Sequence, residues 1–147
     1  MPELSASFLL TDRLQRLHKS MDPGTAVSVC APAGYGKTTL AVSYFNHQAA
    51  EPCRIAWYRL DPEDNNTPVF IAHLTEALFP SEDAEFAESR QILESRTDMR
   101  LPPHQALVSI CAEMWAQHSR TEYTRTYLVL DDFQNVAQNR DIGDITR

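Results

Sequence analysis

Apolar residues in this chain occur in two arrangements, short continuous runs and longer segments in which they recur every three or four positions. The continuous runs cover residues 26–31, 54–60 and 127–131. The first run is almost wholly apolar, which is typical of a strand buried on both faces of a parallel sheet. The other two runs are also predicted to be strands. Because a helix-like segment separates the first two runs, they predict a strand–helix–strand unit with a right-handed crossover. The pattern therefore predicts an α/β fold.

Three segments have helical periodicity, and in chain order they begin at Lys37, Thr67 and Pro102. We expect Thr67 to cap the second helix, with Pro68 at its first helical position. The expected apolar faces are Leu40, Ala41, Tyr44 and Phe45; Phe70, Ile71, Leu74, Ala77 and Leu78; and Leu107, Ile110, Cys111, Met114 and Trp115. The segment 81–100 is dense in charges of both signs, which predicts either a solvated helix or a long excursion.

Composition limits the size of the protein and its environment. With 147 residues, 43% of them apolar, the sequence predicts one domain spanning residues 1–147. No apolar stretch approaches the roughly 20 residues of a membrane span. The first residues also lack the basic stretch followed by an apolar run that marks a secretory signal. We therefore expect a cytoplasmic protein without membrane contact. The formal net charge of −7 argues against direct DNA binding.

The strongest chemical signal is a glycine-containing loop between the first predicted strand and the first predicted helix. Residues 31–38 match the phosphate-binding pattern GxxxxGK[ST], except that Ala31 replaces the first glycine. Glycines let successive backbone N–H groups turn toward a phosphate, and the start of the helix adds its positive dipole end. The residues expected to bind a nucleotide are Ala33, Gly34, Tyr35, Gly36, Lys37, Thr38 and Thr39. A plain turn between a strand and a helix is the alternative.

Three side chains of this loop have separate expected roles. The Lys37 ammonium can reach the β- and γ-phosphates, so it is also a candidate catalytic group. The Thr38 hydroxyl can ligate Mg²⁺, and Thr39 adds a hydroxyl near the α-phosphate.

Two acids, Asp131 and Asp132, come directly after the apolar residues 127–130. Two carboxylates beside a buried strand are costly unless something compensates their charge. A Mg²⁺ ion held by Asp131, directly or through water, would do so, and Asp132 would then orient or deprotonate the attacking water. A strand that ends in a polar turn is the alternative for this pattern taken alone. Together with the loop at 31–38, the acids predict a metal-dependent nucleotide site.

These motifs resemble the ATPase domain of the large ATP-binding LuxR-type regulators, the maltose-activator branch of the STAND NTPases. Their phosphate loop commonly begins with alanine, as at Ala31. Residues 57–65 resemble the signature W-x-x-L-D-x-x-D-N, and Asn66 stands where that signature has a further acid. Residues 128–133 resemble the Walker B strand, and residues 11–17 resemble the segment that precedes the loop. The resemblance covers about residues 9–137.

The resemblance implies a three-layer P-loop NTPase core with a mostly parallel sheet and with Mg-ATP as its ligand. It also implies an ATP/ADP switch that hydrolyses slowly at best and that controls self-association, while DNA binding belongs to a C-terminal domain. Compared with that family, the chain ends fifteen residues after Asp132. The resemblance therefore predicts truncation after the Walker B strand, so that a central strand of the sheet is missing.

Two other functions remain open at this point. A small P-loop kinase or phosphotransferase needs an acceptor pocket and a basic lid, and the segment 81–100 is too acidic to make a good lid, although it carries Arg90, Arg96 and Arg100. A non-catalytic remnant would keep the motif and serve as a protein-interaction module.

Overall fold

The computed structural model describes residues 27–47, 53–96, 102–123 and 125–145. The chain divides into two compact units, residues 1–51 and residues 52–147. The segment 11–17, which resembles the stretch before the phosphate loop, lies outside the described residues.

The first unit contains helix α1 (Lys37–His47), and its described residues before the helix form no regular secondary structure. The strand predicted at 26–31 is therefore wrong for residues 27–31. Val27 and Val29 are exposed by 46% and 38%, although the prediction buried them on both faces. An apolar run becomes a strand only when its N–H and C=O groups pair with a neighbouring strand. Residues 27–31 have no such ladder within the described ranges.

Helix α1 begins where the sequence predicts it. Its first hydrogen bond joins the Leu40 N–H to the Gly36 carbonyl oxygen, at 2.8 Å. Three of the four residues of the predicted apolar face are buried: Leu40, Tyr44 and Phe45.

The second unit is built on a two-stranded parallel sheet. Strand β1 (Cys53–Arg59) pairs with strand β2 (Arg125–Asp131), in a register that places Cys53 opposite Arg125 and Arg59 opposite Asp131. The strands predicted at 54–60 and 127–131 are confirmed, with shifts of one or two residues at three of their four ends. Parallel strands need a long crossover connection, and helices α2 (Thr67–Leu78), α3 (Ala87–Arg96) and α4 (Pro103–His118) lie between them in sequence. A short helix α5 (Arg140–Ile145) follows β2.

The fold of the second unit is thus α/β, as predicted. The larger three-layer core implied by the resemblance stays a prediction.

The core of the second unit is one apolar cluster, which includes one side of β1 and the predicted face of α2. Phe70, Leu74 and Leu78 of α2 are each less than 5% exposed. The N-cap of α2 differs from the prediction by one residue. The Asn66 side chain accepts a hydrogen bond from the Val69 N–H at 3.4 Å, and Thr67 is the first helical residue. Asn66 and Thr67 are both good caps, and the sequence alone does not separate them.

The charge-dense segment 81–100 forms a turn and helix α3 in its described part, residues 81–96. It is not simply a solvated face, because Phe86, Ser89 and Leu93 are buried.

The inward face of helix α4 agrees with the predicted one only in part, because Leu107, Ile110 and Met114 pack in or against the core and the other two residues do not. Ile110 is buried as expected, but Cys111 is exposed and Trp115 is 77% exposed. Glu113 and Gln117 are buried in their place. Arg120 explains this exchange, because its Nη2 atom lies 2.6 Å from Glu113 Oε1 and 3.1 Å from Gln117 Oε1. A polar group can be buried at low cost when its hydrogen bonds are made.

None of the helices in the described ranges is both long enough and apolar enough to cross a membrane.

Candidate functional site

The loop before α1 contains two glycines with positive φ angles. Gly34 has φ +80° and Gly36 has φ +78°. A residue with a Cβ adopts this region at a cost, so glycine is the residue that fits both positions. The Tyr35 N–H between them donates to the Pro32 carbonyl oxygen at 3.3 Å. The loop is therefore a tight turn whose backbone leads directly into the first turn of α1.

The Lys37 ammonium folds back over this turn. Its Nζ atom donates to the carbonyl oxygens of Ala31, at 2.9 Å, and Pro32, at 3.3 Å. These acceptors are neutral, and an anionic oxygen is the stronger acceptor for an ammonium group. The loop thus combines a cation, the positive end of a helix and an exposed turn, an arrangement suited to an anion.

The two candidate acids lie in the second unit, at the end of β2. Asp131 is its last residue and lies opposite Arg59 in the register. Asp132 follows with φ 58° and ψ 35°, and among the described residues it is the one non-glycine residue with positive φ. Aspartate enters this left-handed region more readily than most residues, but still at a cost. Such outliers often mark functional positions.

The Asp132 carboxylate accepts a hydrogen bond at each oxygen. Arg59 Nε lies 3.2 Å from Oδ2, and Gln134 Nε2 lies 3.0 Å from Oδ1. The side chain of Asp132 is 30% exposed, whereas that of Arg59 is 78% exposed. Gln134 is exposed as well, so neither donor lies in the core.

The segment that resembles the W-x-x-L-D-x-x-D-N signature forms a capped turn after β1. Leu60 is buried in the core. The Asp61 carboxylate accepts from the Glu63 N–H at 2.7 Å, and the Asp64 carboxylate accepts from the Asp61 N–H at 2.7 Å. This reciprocal capping fixes a short 3₁₀ turn, Pro62–Asn65. The leucine and the two acids of the pattern thus have structural roles here.

Asp64 is the buried member of this turn, with 1% of its surface exposed. Its Oδ1 atom lies 2.7 Å from His73 Nδ1 on α2. Burial by itself raises the pKa of the Asp64 carboxyl, but the hydrogen bonds from the Asp61 N–H and from His73 outweigh it, so the pKa lies below its ordinary value.

Curated proteins similar to this chain include transcriptional regulators and a protein kinase. The chain is 30% identical over 103 residues to the HTH-type transcriptional regulator MalT of Vibrio cholerae, an alignment that covers 70% of this chain and 10% of that protein. It is 27% identical to the MalT of Vibrio campbellii over 74% of this chain and 11% of that protein. It is 25% identical to the serine/threonine-protein kinase PknK of Mycobacterium tuberculosis over 92% of this chain and 12% of that protein.

These similarities support a relationship to the family of MalT. The chain spans about a tenth of the length of the curated relatives it matches. No family model matches the chain. No solved structure matches it either.

Within each unit, the structure brings some of the predicted residues together. The loop residues 33–39 are contiguous around one turn in the first unit, and Asp131 and Asp132 are adjacent in the second. Sequence reasoning missed Arg59 and Gln134. Arg59 had one visible signal, because it is a cation at the end of a predicted strand.

Sequence reasoning also missed two asparagines that attach the segment after β2 to the turn after β1. Asn135 Nδ2 donates to the Leu60 carbonyl oxygen at 2.9 Å, and Asn139 Nδ2 donates to the Asn65 carbonyl oxygen at 2.7 Å. No residue-type signal distinguishes these asparagines from those of an ordinary polar loop.

Proposed function

We propose that this chain is the nucleotide-switch region of a LuxR-type, ATP-dependent transcriptional regulator and that it binds Mg-ATP, with slow hydrolysis at best. The observation that carries the proposal is the turn at Gly34 and Gly36, both at positive φ, with the Lys37 ammonium folded over it. The similarity to MalT supports the regulatory setting. In this proposal, ATP and ADP are exchanged as a signal that controls self-association, and the chain itself does not contact DNA.

Backbone and side-chain groups of the loop both bind the phosphates in this proposal. The backbone N–H groups of residues 33–39 face the phosphate oxygens, and the Lys37 ammonium exchanges its two carbonyl acceptors for phosphate oxygens. Thr38 in the first unit and Asp131 in the second would each offer an oxygen ligand of the kind that a magnesium ion prefers. When bound, Mg²⁺ neutralises charge on the triphosphate.

Asp132 is the group proposed to act on water. Water attacks the γ-phosphorus, and the bond from that phosphorus to its bridging oxygen breaks, with the electron pair leaving on ADP. The Asp132 carboxylate accepts the proton that the attacking water loses. Hydrolysis is slow at best in this proposal, because both carboxylate oxygens already accept hydrogen bonds.

Calorimetric titration with ATP, ADP and GTP tests the binding. Lys37→Ala should lower the affinity for ATP at least about tenfold, because a charged hydrogen bond to phosphate is worth roughly 1.5–3 kcal/mol. Lys19→Ala is the control, since it removes the same charge outside the loop. If Lys37→Ala bound ATP with wild-type affinity, the loop would not be a phosphate site.

A second pair of variants tests the turn rather than the charge. Gly34→Ala places a Cβ where no atom lies within 4 Å, so its expected loss of ATP affinity comes from backbone strain alone. Gly143→Ala, in α5, also meets no atom within 4 Å and has no positive φ, and it should leave the affinity unchanged.

Asp131→Asn tests the metal. It should weaken ATP binding only when Mg²⁺ is present.

A further inference from the structure

Helix α4 presents an apolar stripe to solvent on the side opposite its buried residues. The α4 stripe consists of Val108, Cys111, Ala112 and Trp115. These positions share one helix face, and all four are exposed, Val108 by 67% and Trp115 by 77%. The residues that α4 buries are Ala106, Ile110, Glu113 and Gln117. The stripe is therefore the side of α4 that does not pack within the second unit.

The α4 stripe carries no charged side chain. The next positions along the same face, His104 and Ser119, add no acid, lysine or arginine. The neighbouring helix α3 differs, because its exposed residues include Glu88 and Glu94. With a net charge of −7 on each chain, two copies repel each other overall, and they approach with least repulsion where a face has no charge. The stripe meets this condition for a second copy.

The order of side-chain sizes makes the α4 stripe complementary to itself. The larger Val108 and Trp115 stand at its ends, and the smaller Cys111 and Ala112 lie between them. In an isologous contact across this face, a two-fold axis passes between the two helices and runs them antiparallel. With the axis at the midpoint of the stripe, Val108 lies beside the partner's Trp115, and the small residues let the helices approach closely. Antiparallel helices also bring unlike ends of their dipoles together.

We propose that the α4 stripe is a contact surface for a second copy of this chain, in an antiparallel helix pair with two-fold symmetry. Four side chains of these sizes bury roughly 400 Å² per copy, about half of what each partner contributes to a standard interface. The dimer is therefore weak and depends on concentration. The inference goes beyond the proposed function, because α4 lies in the second unit and the pairing needs no nucleotide.

Sedimentation velocity over a range of concentrations tests the pairing in the nucleotide-free chain. We expect wild type to shift from monomer to dimer as the concentration rises. Trp115→Gln should raise the Kd at least about tenfold, since tryptophan is among the residues that contribute most to interfaces. Val108→Glu should raise it as well, because an unpaired carboxylate then lies against the partner's Trp115. Gln91→Glu adds the same charge at an exposed position of α3 and should leave the Kd within about twofold of wild type.

A short bismaleimide, which bonds to two thiols, tests the geometry. The two copies of Cys111 lie beside the two-fold axis on helices whose axes are about 8–10 Å apart, so the reagent should join them. Cys30→Ser removes the other exposed thiol and should keep the crosslinked dimer, whereas Cys111→Ser should lose it. Trp115→Gln retains the Cys111 thiol, and its yield of crosslinked dimer should fall together with its affinity.

A chain that stays monomeric until it aggregates would overturn the inference. A dimer whose Kd changes in neither Trp115→Gln nor Val108→Glu would do the same, as would a dimer that crosslinks through Cys30 rather than Cys111. Circular dichroism of each variant shows that α4 is still folded, so that a lost dimer reports the contact. A monomer that binds an added amphipathic peptide through the stripe would assign this face to a different partner and would also contradict the pairing.

Discussion

At the scale of single residues, Asp64 joins two parts of the molecule. Its carboxylate accepts a hydrogen bond from the Asp61 N–H and bonds to the ring of His73, so it connects the turn after β1 to α2. The turn and the helix therefore depend on the ionised form of one buried carboxyl group. The Tyr58 ring packs edge-on against the His73 ring, with 6.3 Å between their centroids.

The lowered pKa of Asp64 predicts a stability that depends on pH. The folded-state pKa lies below the unfolded value, so the contribution to stability is fully present above the unfolded pKa of about 4 and is lost as pH falls through the folded pKa. Asp64→Asn should lower the free energy of unfolding by about 1–3 kcal/mol at neutral pH, where two hydrogen bonds to the carboxylate are lost or weakened. Urea titrations from pH 7 down to pH 3 measure both effects.

The difference between wild type and Asp64→Asn should shrink as pH falls, since the wild-type carboxyl becomes neutral as well. Glu63→Gln is the control, because Glu63 is an exposed acid of the same turn. A difference that stays constant across this range would show that the ionised form of Asp64 is not what stabilises the turn.

At the scale of elements, the hydrophobic pattern predicted the helix positions that pack on apolar neighbours. It missed the positions that are buried through polar contacts. The helix α2 was predictable because Phe70, Leu74 and Leu78 recur at helical spacing and are all buried. Two buried positions of α4 were not, because Glu113 and Gln117 are buried through Arg120, which lies beyond the end of the helix. Periodicity reports apolar faces, and a satisfied polar network leaves no periodic signal.

The same limit applies to the candidate site. Local patterns were sufficient to predict the turn before α1 and the acidic pair at the end of β2, because each lies within a few consecutive residues. The nucleotide and metal roles of these residues stay predictions. The contact between Arg59 and Asp132 joins residues 73 positions apart, so it depends on the register of two strands. The strand predicted at 26–31 failed for a related reason, since a strand needs a neighbour that no local pattern supplies.

Arg54 connects β1 to the end of α2, and this connection can be tested at the level of the two elements. Its Nη2 atom donates to the Leu78 carbonyl oxygen, and its guanidinium carbon lies 4.0 Å from the centroid of the Phe86 ring. Burial lowers the pKa of this guanidinium, although the nearby acid Glu85 opposes the shift. The charge is therefore partly withdrawn from water and depends on these partners.

Replacing Arg54 should destabilise the second unit. Arg54→Met removes a hydrogen bond to a helix-terminal carbonyl and a cation–π contact, and we expect a loss of about 1–3 kcal/mol in the free energy of unfolding. Arg59→Met is the matched control, with the same substitution in the same strand at a side chain that is 78% exposed, and it should change stability by less than about 1 kcal/mol. Chemical denaturation followed by circular dichroism compares them. Equal losses would mean that the buried contacts of Arg54 contribute nothing specific.

At the scale of the whole molecule, the described residues leave several large apolar side chains in contact with solvent. Val108 and Trp115 on α4 are 67% and 77% exposed, and Leu128 on β2 is 39% exposed. The sheet has two strands in the described ranges, and two-stranded sheets are of marginal stability by themselves. An edge strand with apolar side chains also invites pairing between molecules. These features oppose the solubility that a net charge of −7 otherwise favours.

We therefore expect the purified 147-residue chain to unfold over a broad temperature range, to bind an apolar dye and to aggregate when concentrated. Trp115→Gln should reduce dye binding and delay aggregation, because it removes the most exposed large apolar side chain of α4. Phe70→Gln should have the opposite effect and increase dye binding, because Phe70 is buried in the core. Calorimetry, dye fluorescence and light scattering measure the three properties. A sharp, reversible transition of a monomer that binds no dye would contradict the prediction, and it would show that the 147 residues form a stable domain despite this exposed surface.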